Sequence, residues 1–214
     1  MKRFSNAVVF VVSIGLVAVF SSTASGKDGA KQGTGTIKGK ISVRGVRSPE
    51  NVLIYIEKAP GEFPPPKEPA AMDQKKLVFT PTVLPIVKGT TVRFLNSDPI
   101  LHNVFWPAGK GYSKRNLGTW GKGAAKTFKF DVEGAVVLLC NVHPEMEAHV
   151  VVLQNPFFAV VDKDGAYEIK DVPPGDYTVK TWYTKPKKLR SKTAKVSVSA
   201  DKATTLDFSL SRRR

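Results

Sequence analysis

Residues 135–153 read AVVLLCNVHPEMEAHVVVL. Two runs rich in Val and Leu, AVVLLC and EAHVVVL, flank a short polar break. Segments of this length and composition are strands, and the Asn, His and Pro between them mark a reversal of the chain. The break opens on Cys140, the only cysteine in 214 residues. His143 follows it by three positions and Met146 by six.

The same style extends outward in both directions. TIKGKISVRG (36–45) places Ile37, Ile41 and Val43 near one face, and NVLIYIEK (51–58) is a second strand. KLVFTPTVLPIVKG (76–89), TTVRFLN (90–96) and AAKTFKFDVEG (124–134) read as strands, with a turn at Lys88-Gly89. Residues 97–123 are irregular, and a new strand starts around His102. Beyond residue 156, short strands alternate with turns at Asp164-Gly165 and Pro174-Gly175. APGEFPPPKEPAA (59–71) reads as a stiff polyproline connector. No amphipathic helical period is present, so the expectation is an all-β sandwich or barrel.

The first residues have the layout of a secretory signal peptide. Lys2 and Arg3 precede an apolar run, which is followed by small residues around Ala24–Gly26. At about fourteen residues the run is short for a membrane span. A periplasmic or secreted location is therefore expected, with no transmembrane segment in the mature chain. The formal charge is +15, from 33 Lys and Arg against 18 Asp and Glu. A basic exported protein suits an acidic partner. The basic residues are scattered, without a recognition helix or RNA-binding signature, and no nucleic-acid partner is expected. In an oxidising compartment a lone thiol is prone to oxidation, so Cys140 calls for protection or use.

A thiolate, an imidazole and a thioether form a soft-to-borderline donor set. Two imidazoles and a thiolate, with a weak thioether, suit copper. The second imidazole must come from His102 in PILHNVFWP (99–107), 38 residues before Cys140, or from His149. Zinc remains an alternative, with Glu145 or Glu147 in place of the thioether. So does a buried structural cysteine beside a turn histidine. A c-type haem is excluded for want of a second cysteine.

PILHNVFWP together with VVLLCNVHPEMEAHVVVL resembles the cupredoxin family of blue copper proteins, in particular its amicyanin- and plastocyanin-like members. The resemblance spans about residues 72–153. It implies a Greek-key sandwich holding one type 1 copper ion, with His102, Cys140 and His143 as equatorial ligands and Met146 as the axial one. It implies that Asn103 ties the two ligand loops together. His149 matches no ligand position and is read as a surface or structural histidine. The family's usual first strand is expected to be replaced by the proline-rich connector.

The flanks resemble the carboxypeptidase regulatory-like family, a small transthyretin-like β-sandwich, through GKISVRG, NVLIYIE, the Asp164-Gly165 turn, VPPG (172–175) and YTV (177–179). A composite of this kind is similar to methylamine-utilisation-type exported proteins. The expected organisation is a signal peptide (1–26), a flexible lead-in (27–35), the first strands of the regulatory-like sandwich (36–58) and the connector (59–71). The cupredoxin (72–153) follows, inserted in or next to the sandwich, and residues 154–211 complete the latter.

The resemblance implies one-electron transfer rather than an enzyme, since a catalytic copper needs more histidines than the three present. The other reading is a copper carrier or sensor using the same ligands. His143 is expected to be the electron port, rimmed by Ile100, Leu101, Phe105, Trp106, Pro107 and Pro144, and to meet an acidic protein redox partner.

Overall fold

The computed structural model describes residues 33–44, 48–184 and 191–211. The signal-peptide segment, most of the lead-in and residues 212–214 lie outside them. The described part is all-β, and none of its elements is a helix long and apolar enough to cross a membrane.

Two strands lead, β1 (Gly35–Val43) and β2 (Leu53–Ile56). Nine follow the proline-rich connector: β3 (Ala70–Lys75), β4 (Val78–Thr80), β5 (Val83–Val87), β6 (Thr91–Leu95), β7 (His102–Trp106), β8 (Arg115–Trp120), β9 (Ala125–Lys129), β10 (Gly134–Leu139) and β11 (Glu147–Leu153). Six complete the chain: β12 (Phe158–Val160), β13 (Ala166–Val172), β14 (Gly175–Trp182), β15 (Thr193–Val198), β16 (Ala203–Thr205) and β17 (Phe208–Leu210).

The first two strands pair with the last six. One sheet runs β13-β1-β16, with β17 also on β1, and the other runs β12-β2-β14-β15. Ile37, Ile41, Ile54, Ile56, Ile169, Val179 and Phe208 fill the space between them. Strands β3 to β11 form a second pair of sheets, ordered β5-β11-β10-β7-β8 and β4-β3-β6-β9. Consecutive strands switch repeatedly between these two sheets, a Greek-key arrangement. Their shared core holds Met72, Phe79, Phe94, Val104, Trp106, Leu138 and Val150.

Three sequence expectations need correction. The strand expected to be lost to the connector is present as β3, which begins at Ala70 and runs parallel to β6. AAMDQK has weak strand propensity, and one of its inward positions is the buried amide Gln74, which hides the alternation. The stretch 76–89 is two strands, divided at Pro81 and belonging to different sheets. The irregular stretch 97–123 contains β8, a polar edge strand with Gly118 at φ 83°.

The two sandwiches meet along Leu53, Val83, Val151 and Leu153. The chain crosses between them twice, and the crossings are tied side by side. Ala59 N–H donates to Gln154 Oε1 at 3.1 Å, and Gln154 Nε2 donates back to Ala59 O at 3.2 Å. Next to it, the buried Asn155 donates to Ile56 O at 3.0 Å.

Candidate metal centre

Strand pairing brings the two halves of the site together. β7 lies between β10 and β8, with Leu139 opposite Phe105 and Trp120 opposite His102. Because β7 and β10 are antiparallel, the start of one lies at the end of the other. Cys140 continues the inward series Val136, Leu138, and His102 begins the inward series Val104, Trp106. The reversal after Cys140 is a turn whose Met146 N–H donates to His143 O at 3.0 Å. Pro144 holds its second position, where a fixed φ favours the turn.

The loop before His102 is shaped by Asn96. Its Nδ2 donates to Ile100 O and Trp120 O, both at 2.9 Å, and its Oδ1 accepts from Asp98 N–H at 2.9 Å. This presents Asp98 to His102, whose Nε2 lies 2.8 Å from Asp98 Oδ2. Backbone N–H groups of Leu77 and Lys76 hold the Asp98 carboxyl down at about 2, against the opposing effect of burial. An ionised Asp98 only accepts, so the shared proton sits on His102 Nε2, and in the neutral ring Nδ1 is then the nitrogen that can bind a metal.

That Nδ1 faces His143 Nδ1 at 3.1 Å, and Cys140 Sγ lies 4.0 Å from His143 Nδ1. The donor atoms of His102, Cys140 and His143 all lie within 4.8 Å of one another. Nitrogen and sulfur ligands about 2.0–2.3 Å from a common ion stand roughly 3–4 Å apart, so the three residues fit one ion. His102 and Cys140 are buried and His143 is half-buried. Met146 is buried in the same core as Cys140.

Asn103 joins both sides of the site. Its backbone N–H donates to Cys140 Sγ at 3.4 Å, and its Oδ1 accepts from Asn141 N–H at 3.3 Å. Its Nδ2 donates to Asn116 Oδ1 at 2.8 Å and to Gly118 O at 2.7 Å. His149 stands apart, with its ring centroid 5.2 Å from that of Trp182 at the junction of the sandwiches.

The surface around His143 differs from the expected rim. Leu101 is 57% exposed, Val142 46% and Ile100 43%, and Pro107 and Pro144 are exposed. Trp106 is buried against Phe128 and Phe130, and Phe105 is half-buried. Trp106 shares the inward face of His102 but lies four residues, about 13 Å, along the strand. Sequence reasoning missed Val142, although its place inside the ligand loop pointed to it. It also missed Asp98, whose turn partners lie 21 and 22 residues upstream and leave no local signal.

No protein-family model matches the chain, and neither does any curated protein sequence. Among solved structures, it is similar to a copper-containing nitrite reductase from Thermus scotoductus, at 26% identity over 40% of this chain and 22% of that one, with a TM-score of 0.38. The chain thus spans about a fifth of that enzyme's length. It is also similar to an oxidised single-residue variant of amicyanin, at 28% identity over 39% of this chain and 81% of that one, TM-score 0.38. A reduced amicyanin variant matches at 25% identity over 48% and 99% of the two chains, TM-score 0.38. These neighbours are cupredoxins, and the centre stands on its own geometry.

Proposed function

We propose that this protein is an exported blue copper protein that passes single electrons between redox partners. The supporting observation is the convergence of His102 Nδ1, His143 Nδ1 and Cys140 Sγ at one buried point. Met146, buried in the same core as Cys140, is the fourth ligand in this reading. Bound copper supplies a one-electron couple and a thiolate charge-transfer band. The chain's own part is to hold the donors in place. Cys140 is fixed by the β10 core and receives the Asn103 N–H, a hydrogen bond of the kind that tunes a thiolate site.

His143 is the half-exposed ligand, and Leu101 and Val142 next to the two imidazoles present apolar surface. In this reading a partner docks there, and the basic surface favours an acidic one. The remaining histidine is engaged at the sandwich junction, which favours a single centre and an electron carrier over a copper enzyme. The nine central strands form the copper-binding sandwich, inserted into a regulatory-like one that acts as scaffold.

The test is to add Cu(II) to protein expressed without residues 1–26 and record the visible spectrum. An intense band at about 600 nm, lost in Cys140→Ala, is the expected result. A colourless protein that takes up Cu(I) tightly instead indicates a copper carrier.

A further inference from the structure

The turn between β3 and β4 is built in an unexpected way. Lys76 and Leu77, its two central residues, both have left-handed backbones, with φ of 57° and 62°. Two-residue hairpin turns with positive φ at both positions normally use Asn and Gly, because other side chains clash there. Strain of this kind persists where the surroundings hold it and often accompanies a functional role.

What the turn holds is a carboxylate. Lys76 N–H donates to Asp98 Oδ1 at 2.6 Å, and Leu77 N–H donates to Asp98 Oδ2 at 3.0 Å. Successive backbone N–H groups in such a turn form an anion-binding concavity. The same Oδ2 lies 2.8 Å from His102 Nε2, and the His102 side chain is fully buried. One carboxylate, gripped from behind by the turn, thus faces the ring whose other nitrogen points at His143 and Cys140.

We infer that the β3–β4 turn, acting through Asp98, is a positioning device for the metal centre. It orients the His102 ring, fixes its Nε2–H tautomer and sets a negative charge behind it. A carboxylate on the far nitrogen raises the donor strength of the near one. It therefore favours Cu(II) over Cu(I) and lowers the reduction potential. This rests on the copper reading above, but the tautomer does not need the metal.

Two measurements test it. The ring ¹⁵N shifts of His102 in metal-free protein report the tautomer, and a redox titration of the copper form reports the potential. The wild type is expected to show the Nε2–H tautomer in at least about tenfold excess. Asp98→Asn is expected to cut that excess about tenfold and to weaken copper binding by about 10–100-fold. A tenfold change in the Cu(II)-to-Cu(I) affinity ratio moves the potential up by about 59 mV. Leu77→Pro removes the N–H that donates to Asp98 Oδ2 and cannot take a positive φ, so it is expected to move both readings toward those of Asp98→Asn. If Asp98→Asn melts lower but keeps the wild-type tautomer and potential, Asp98 is only structural and the inference is wrong. If Leu77→Pro folds and leaves both readings at wild-type values, the turn does not act through Asp98, and the inference also fails. A wild type with the biased tautomer but no copper uptake sinks the copper reading and leaves the clamp on His102 standing.

Discussion

Asn103 is the residue on which the site's two loops depend. It is 2% exposed, and its side chain satisfies Gly118 O, Asn116 Oδ1 and Asn141 N–H. Asn103→Ala removes those three bonds, and because Gly118, Asn116 and Asn141 are themselves exposed, water can replace part of what is lost. A hydrogen bond contributes about 0.5–1.5 kcal/mol net, so the loss is expected to be about 2 kcal/mol. For a chain of this size that lowers the melting temperature of the metal-free protein by roughly 6 °C. Copper affinity is expected to fall by about 10–100-fold as well, since the variant releases the residue after Cys140. Calorimetry of the metal-free form and a copper titration check the two effects separately. An unchanged melt contradicts the first, and unchanged affinity contradicts the second. The Cys140, His143 and Met146 triplet was readable because seven consecutive residues carry it. Asp98 was not, because what it binds is backbone, and any two residues can supply a backbone N–H.

Among the strands, legibility followed side-chain chemistry. β10 and β11 are dense in Val and Leu, and β14 alternates inward Tyr177 and Val179 with outward polar residues, so each announces itself. β3 and β8 are polar, and only pairing with their neighbours makes them strands. β1 carries the most: β13 lies on one side of it, and β16 and β17 on the other. Its Gly39 is required by close approach. A Cβ there would lie 2.1 Å from Leu206 O and 2.7 Å from the carbonyl carbon. Backbone atoms cannot swing away as a side chain does, so Gly39→Ala must push β1 from the segment that joins β16 to β17. Overpacking of this kind costs about 1–3 kcal/mol. β1 belongs to the sandwich that lacks the metal donors, so the variant is expected to melt lower while keeping the wild-type copper spectrum. A spectrum that changes with the melt would show that the two sandwiches share one fate at the site.

At the scale of the whole molecule, charge is distributed less evenly than the total suggests. Between Asp98 and Asp131 the chain carries Lys110, Lys114, Arg115, Lys122, Lys126 and Lys129 and no acidic residue. All six are exposed. The segment includes β7, β8 and β9, so this basic run flanks the candidate centre. Lys122 follows Gly121, and a methyl group added to Gly121 would come within 3.5 Å of Leu101 Cδ2, on the apolar surface next to His102. A field of this sign draws in anions and repels cations, and salt screens it over about 10 Å at 0.1 M. Small inorganic oxidants of opposite charge can read it without knowledge of the natural partner. With an anionic oxidant, the second-order rate of oxidation of the copper-loaded, reduced protein is expected to fall several-fold as salt rises from about 0.01 to 0.5 M. With a cationic oxidant it is expected to rise. Lys122→Glu should flatten both trends, because it reverses a charge next to Gly121, whose backbone lies against Leu101. Salt-independent rates with both oxidants, or trends untouched by Lys122→Glu, would mean that electrons leave through a face this basic run does not govern.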